Sequence, residues 1–390
     1  MNSRLTLPLA LLVPLMLVVG IWIGANPRDL PGPVRDVVGY DDSQRAISDA
    51  IDVVHDRYYR ELSDKELSDK AIAGMVKSLG DEFSHYFNAR EYQSFRENQQ
   101  SAFSGVGLGV GRHPLGLRVR QVYDGSPAKR GGVKAGDVVT RAAGRSLKGL
   151  DQNKAVALIR GAPGTEVTVT IKRGDTDREI RLTRATINLP VVASRIVRSD
   201  GNRYALIGLA QFSSGAHAEL ARAVRKELRR GAKGIIFDLR GNPGGLVVEA
   251  QLVTSVFLKQ GEVVTTEGRH SPRKTLTTTG KAVAPQIPLV VLVDRSSASA
   301  AEIVAGALQD NGRARLIGTR TFGKGVFQEV IELDNGGALD ITAGQYFTPN
   351  GRNLGGTGTK RGDGLEPDIA APDDPKTAAD ETLERALKAL

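Results

Sequence analysis

Leu289-Val-Val-Leu-Val293-Asp-Arg-Ser-Ser-Ala-Ser299-Ala-Ala-Glu-Ile303 is the stretch on which the reading of this chain turns. Its first five residues are wholly apolar and rich in β-branched side chains, as in a strand buried inside a parallel sheet. Asp294 stops the run, small residues make a turn, and Ile303, Ala307 and Leu308 then follow at helical spacing. A serine at such a strand-to-helix junction exposes its hydroxyl beside backbone N–H groups that have no helical partner. That sets a nucleophile next to an oxyanion site. Downstream, Leu316-Ile317-Gly318 reads as a further strand, and Gly323-Lys324-Gly325 holds a lysine in a glycine-flanked turn. The pair reads as a serine nucleophile with a lysine general base.

Outward from this stretch the pattern is β/α. Tyr204 to Ala210 and Gly234 to Asp238 read as strands, with a helix over Ala216 to Arg230 between them. Leu239-Arg-Gly-Asn-Pro-Gly244-Gly245 then forms a loop whose glycines let backbone N–H groups approach a ligand. Val326 to Leu333 and Ala338 to Phe347 read as paired strands, and Ala378 to Leu390 as an amphipathic helix. The core is expected over 187–372, with a C-terminal helix in 373–390. Before it, 102–186 holds short strands, a late helix, and the run Gly105-Val106-Gly107-Leu108-Gly109, which suits a peptide-binding module or a simple hairpin turn. A dinucleotide fingerprint fails there, because Val110 stands where the third glycine belongs.

The N-terminal part is read as helical over 43–101, with Ile47, Ile51, Val54 and Tyr58 on one face. The segment from Leu79 to Tyr86 is taken as packing or a dimer contact. Prolines stiffen a linker over 27–42. An uncharged stretch from Leu5 to Asn26 follows Arg4 and is about long enough to span a bilayer. Residues 1–26 are therefore expected to be a signal anchor, with a cleaved signal peptide as the alternative. Either way the body is expected on the extracytoplasmic (periplasmic) side, tethered to the membrane or secreted.

The chain has 390 residues, enough for two or three domains, and no cysteine, which excludes a disulfide framework and thiolate zinc sites. The formal charge of +9 favours anionic surfaces such as lipid. Scattered basic residues and 5% aromatics argue against nucleic acid as a partner. Gly318 to Lys324 matches a phosphate loop except that Gly325 stands where the Mg²⁺-binding hydroxyl belongs. For a Ser-His-Asp triad the nearest candidate is His217, and no strand end presents it to Ser299. A lysine base must be neutral, which its ordinary pKa of about 10.4 forbids at pH 7. Burial lowers that value, and Phe322, Val326 and Phe327 give Lys324 apolar neighbours in sequence.

Ser297-Ala-Ser299-Ala-Ala-Glu-Ile303, Phe322-Gly-Lys324-Gly and Gln328 together resemble the carboxyl-terminal processing (tail-specific) serine peptidases. So do Asp238-Leu-Arg-Gly-Asn-Pro-Gly-Gly245, Tyr346-Phe-Thr-Pro-Asn-Gly351 and Glu366-Pro-Asp368. The resemblance implies an α/β protease core of ClpP/crotonase type with an inserted PDZ-like module. It implies Ser299 as nucleophile, Lys324 as base and Gln328 as the residue orienting the lysine. Backbone N–H groups of Ala300 and of Gly244 or Gly245 would form the oxyanion hole. The loop Gly105, Val106, Gly107, Leu108 and Gly109 would bind a substrate's C-terminus, and Arg160 would couple that binding to the active site. No metal or cofactor is implied. The partners expected are protein substrates, with room for a homodimer and for an activator protein. Ser296 replaces a usual glycine, Ala301 replaces a common serine, and Thr359 to Gly364 lengthens a loop. The alternative reading is a membrane-tethered PDZ scaffold whose protease domain is inactive or activated by a partner.

Overall fold

Strand Leu289–Val293 lies inside a six-stranded sheet ordered Val192–Ser199, Asn202–Leu209, Gly234–Asp238, Leu289–Val293, Arg315–Gly318, Ile369–Ala370. The first pair is antiparallel and the others are parallel, with Ile235 opposite Leu289 and Val291 opposite Leu316. Side chains alternate between the two faces of a strand. Ile235, Phe237, Val291 and Val293 accordingly join one apolar cluster, which also takes in helices Ala216–Arg229, Val247–Phe257 and Ala300–Asp310. Ile236, Val290 and Leu292 join another, with Ala386 of helix Glu381–Ala389. Both faces are covered, which is why the strand reads as an unbroken apolar run. Every residue of helix Ala300–Asp310 from Ala300 to Leu308 is buried, and all of them but Glu302 are apolar or glycine.

The computed structural model describes residues 42–390 except 357 and 375, together with Met16 and Gly20. The expected anchor over 1–26 and the linker up to 41 lie outside the described residues, those two positions apart. Among the described residues, no helix is long and apolar enough to cross a membrane. The chain divides into two compact units at Met75/Val76. In the first, helix Asp42–Arg57 leaves Ile47, Val54 and Tyr58 of its expected apolar face exposed.

In the second unit, Leu108–His113, Gly116–Val122, Val138–Ala142, Glu166–Arg173 and Thr176–Thr183 form an antiparallel sheet around Val119, Val139, Val169 and Ile171. Helix Gln152–Ile159 packs on this sheet, and a ribbon of Ala102–Gly105 with Ala185–Asn188 flanks it. A further five-stranded sheet contains Ala338–Phe347 paired with Val326–Glu332, Glu262–Glu267 and His85–Phe87, while Lys274–Thr277 pairs with Glu262–Glu267.

Two readings change here. Val192–Ser199 is a strand that the β/α pattern, begun at Tyr204, passes over. It pairs with Asn202–Leu209 across Asp200-Gly201, both at positive φ (49° and 76°), as a two-residue hairpin demands. The N-terminal segment is not helical throughout either. His85–Phe87 is a strand that pairs with Asp340, Leu339 and Ala338, so this part of the region read as helical belongs to a sheet.

Candidate active site

Ser299 sits where strand Leu289–Val293 gives way to helix Ala300–Asp310, with φ 54° and ψ −116°. Such a backbone costs about 1–3 kcal/mol in a residue other than glycine and persists only where its surroundings enforce it. The enforcement is visible. Ser297 Oγ donates to Leu239 O (2.8 Å), Ala298 N–H to Asn242 O (3.0 Å), and Phe322 N–H to Ser297 O (3.0 Å). Gly241 N–H and Ser296 N–H both donate to Asp294 Oδ1 (3.0 and 2.9 Å). Ser296, the residue that departs from the usual glycine, is itself exposed. Three loops are thus stitched together around the serine.

One carboxylate completes the stitching. Glu302 is fully buried, and its Oε1 accepts from Thr321 Oγ (2.6 Å) and Gly323 N–H (2.8 Å). Its Oε2 accepts from Ser299 N–H (2.9 Å) and Lys324 N–H (3.0 Å), so one oxygen fixes both backbones. Burial pushes the Glu302 carboxyl above the usual range, against the pull of those donors. Glu302 stands within the motif around Ser299, where its neighbours in sequence assign it no role. The available signal was a carboxylate in the first turn of a run, Ala300 to Leu308, that is otherwise free of polar side chains.

Lys324 is held by its two glycines. A Cβ on Gly323 (φ 91°) would meet Gly362 O at 2.3 Å, and one on Gly325 would meet Gly355 N at 2.3 Å. The lengthened loop before Leu365 therefore presses on the lysine's turn, and Gly362 N–H donates to Gly323 O (2.9 Å). Lys324 Nζ donates to Gln328 Oε1 at 2.6 Å, and Gln328 Nε2 donates to Thr342 Oγ1 at 3.2 Å. A β-bulge between Phe327 and Gln328 lies just before that glutamine, and bulges of this kind re-aim side chains beside active sites. Burial lowers the Lys324 pKa from its ordinary value, while Asp340, Asp81 and Glu302 act in the opposite sense. No hydrogen bond joins Ser299 Oγ to Lys324 Nζ.

The glycine loop lies against the serine. A Cβ on Gly244 (φ 101°) would come within 2.8 Å of Ser299 Cβ and 3.0 Å of Ala300 N. Gly244 N–H is already donated to Asn242 Oδ1 (2.8 Å). Phe212 N–H donates to Gly244 O and Leu246 N–H to Phe212 O, the pattern of a one-residue bridge. That pattern turns the Gly245 N–H away from Phe212. Neither it nor the Ala300 N–H finds an acceptor among the described residues. His217 lies elsewhere in the hydrogen-bond network, its Nδ1 2.8 Å from Glu249 Oε2.

Residues 203–371 match Peptidase family S41, 93–183 match the PDZ domain, and 36–91 match the activating protease CtpB N-terminal domain. A probable CtpA-like serine protease of Staphylococcus epidermidis is 32% identical over 338 residues, covering 85% of this chain and 67% of that protein. The chain belongs to the S41 carboxyl-terminal processing peptidases. A Staphylococcus aureus relative of the same description is 33% identical over 332 residues, and the chain spans 65% of that protein's length. A solved photosystem II D1 C-terminal processing protease aligns with a TM-score of 0.49 at 26% identity, over 90% of this chain and 98% of that one.

In this S41 chain the PDZ domain presents a groove of about 340 Å³, lined by Phe103, Val106, Leu108, Tyr123, Val156 and Ile159 among others. The N–H groups of Val106 and Gly107 donate to no acceptor among the described residues. Gly105 closes the strand before them, and Leu108 and Gly109 pair with Val122 and Gln121. Gly107 needs to be glycine, since it has φ 82° and a Cβ there would lie 2.2 Å from Ser126 Cβ. Arg160 ends helix Gln152–Ile159 at the groove's edge. Its guanidinium lies 5.4 Å from the Phe103 ring centroid, and its Nη1 is 3.3 Å from Glu97 of helix Ala89–Gln99.

Proposed function

We propose that this chain is a serine endopeptidase that cuts protein substrates near their C-termini through a Ser-Lys-Gln site. The observation that carries the reading is the shared carboxylate. Glu302 ties the backbones of Ser299 and Lys324 to one oxygen while the lysine's amine is desolvated and donates to a neutral amide.

A neutral amine has two N–H donors and one lone pair. Donation to Gln328 Oε1 orients the nitrogen and leaves the lone pair for the Ser299 proton. Ser299 Oγ then bonds to the peptide carbonyl carbon, and the resulting oxyanion takes N–H donation from Ala300 and Gly245. The lysine ammonium returns its proton to the departing amine as the C–N bond breaks. A water molecule, deprotonated by the same lysine, hydrolyses the ester and releases the new C-terminus. Activity requires neutral Lys324, so kcat/KM rises as pH rises through the lowered lysine pKa.

The substrate's own C-terminus sits in the PDZ groove in this proposal. Its carboxylate takes N–H donation from Val106 and Gly107, and its chain adds as a strand. Arg160 then serves as a gate, because Glu97 connects it to helix Ala89–Gln99, whose end bonds to the loop beside Gly244. There Ser214 N–H donates to Gln99 O at 3.0 Å. We also take the parallel β/α core to be of ClpP/crotonase type.

The test incubates the chain from residue 27 with an unstructured protein ending in apolar residues and reads fragments by mass spectrometry. Cleavage is expected, and it should fall when the substrate's last residues are replaced by charged ones. Arg160→Ala should remove that dependence on the tail. Cleavage indifferent to the tail in both proteins sinks the gating role. No cleavage of any substrate, with peptide binding intact, favours the scaffold.

Export is part of the same proposal and rests on the uncharged stretch from Leu5 to Asn26. The full chain should fractionate with membranes, whereas a chain starting at residue 27 should not. Equal fractionation of the two rules the anchor out.

A further inference from the structure

Three carboxylates, each on a different element, act on Lys324: Asp340 of strand Ala338–Phe347, Asp81 of the segment before His85–Phe87, and Glu302 of helix Ala300–Asp310. The described charges facing it are thus negative, and His85 faces Asp340 rather than the lysine. All three favour the ammonium, so the lysine can be neutral only if water is kept from it.

The segment from Asp81 to Phe87 is built over the amine. Phe83 lies with its ring centroid 5.2 Å from Lys324 Nζ. Asp81 Oδ1 accepts from Phe83 N–H (2.8 Å), and its Oδ2 accepts from Ser84 Oγ (2.5 Å). Ser84 Oγ in turn accepts from Thr342 N–H (3.0 Å), and Glu82 N–H donates to Thr359 O (3.3 Å). The next three residues pair with Asp340, Leu339 and Ala338. Thr342 Oγ1 is also the acceptor for Gln328, so one strand residue joins the segment to the amide that orients the lysine. An aromatic face attracts an ammonium. The ring therefore helps the base only by excluding water, and the two effects can be separated by substitution.

We propose that Asp81 to Phe87 forms a strap in which Phe83 is a positioning residue, covering the amine of Lys324 so that it can act as the base. The proposal rests on the Ser-Lys reading above and assigns a role in that site to a segment outside the peptidase core.

The experiment measures kcat/KM against pH for the parent, Phe83→Ala, Phe83→Leu and Lys324→Ala. Phe83→Ala hydrates the amine. Its acid limb should move to higher pH by about one unit, a roughly tenfold loss at neutral pH that is recovered in alkali. Phe83→Leu keeps an apolar cover without the aromatic face, so its limb should stay with the parent's or move lower. A Phe83→Ala limb that coincides with the parent's, while Lys324→Ala is inactive, overturns the strap and leaves the Ser-Lys reading standing. Cleavage surviving in Lys324→Ala removes both. A readout independent of activity is the ¹⁵N NMR titration of Lys324 Nζ in the Ser299→Ala protein. Its midpoint should rise on adding Phe83→Ala, and an unchanged midpoint overturns the proposal.

Discussion

Ser299→Ala and Lys324→Ala are each expected to lower kcat by about 10⁴-fold or more, with the double variant no worse than either alone, because the two groups act as a unit. Substrate should still bind, since the PDZ groove is untouched. Lys324→Arg should be as inactive as Lys324→Ala, because a guanidinium stays protonated and offers no lone pair. Stability should move the other way. The folded chain holds the lysine pKa below its ordinary value, so the unfolded chain binds more protons between the two values. Parent stability therefore rises with pH across that window. Lys324→Met removes the cost of burying the amine, and below the window its Tm should equal or exceed the parent's. Thermal melts of parent and variant at neutral pH, read beside their cleavage rates, check both halves. A Lys324→Met protein that melts well below the parent contradicts the account of a desolvated, functionally strained base.

Glu302→Ala should be the most destabilising single change at the site. It leaves the donors of Ser299, Thr321, Gly323 and Lys324 facing an empty space in a dry interior. Removing one side of a buried charged network costs about 3–5 kcal/mol. Glu302→Gln keeps the volume but replaces one acceptor oxygen with an amide NH₂ that opposes two donors. That protein should fold, and its kcat should fall by about 10²-fold, the scale of a small misplacement of reacting groups. KM should change little, because nothing in the groove moves. Urea titration gives the stability and steady-state kinetics the split. Parent-level kcat in Glu302→Gln denies the carboxylate its role in aligning Ser299 with Lys324.

Elements with a local signature were legible in the sequence. Leu289–Val293 announces burial by being apolar throughout, and Gly323 and Gly325 mark a turn that the structure shows pressed between backbones. Gln328 is legible only through resemblance, because a bulge sets its aim and a bulge leaves no periodicity. Glu302 was visible as a letter, but its role depends on four donors, three of them around twenty residues downstream. Phe83 is the extreme case. Nothing near it in sequence hints at a lysine, and its place is fixed by strand pairing with residues some 250 positions away. For Gly244 and Gly245, sequence named the loop, and hydrogen bonding separates an amide already engaged from one turned outward.

That long-range pairing also bears on how the chain is made. Ser84 meets Thr342 across 258 positions, and His85–Phe87 meets the same strand. A ribosome releases the N-terminal partner first, at about 5–20 residues per second, so the two ends of this contact emerge tens of seconds apart. Until Thr342 is out, the strap has no strand to pair with. On the strap proposal, Lys324 stays wet and protonated until then, even after Ser299 has been synthesised. On that proposal a growing chain holds a weakened base, and the full rate at neutral pH is reached only once the distant segments have closed on each other.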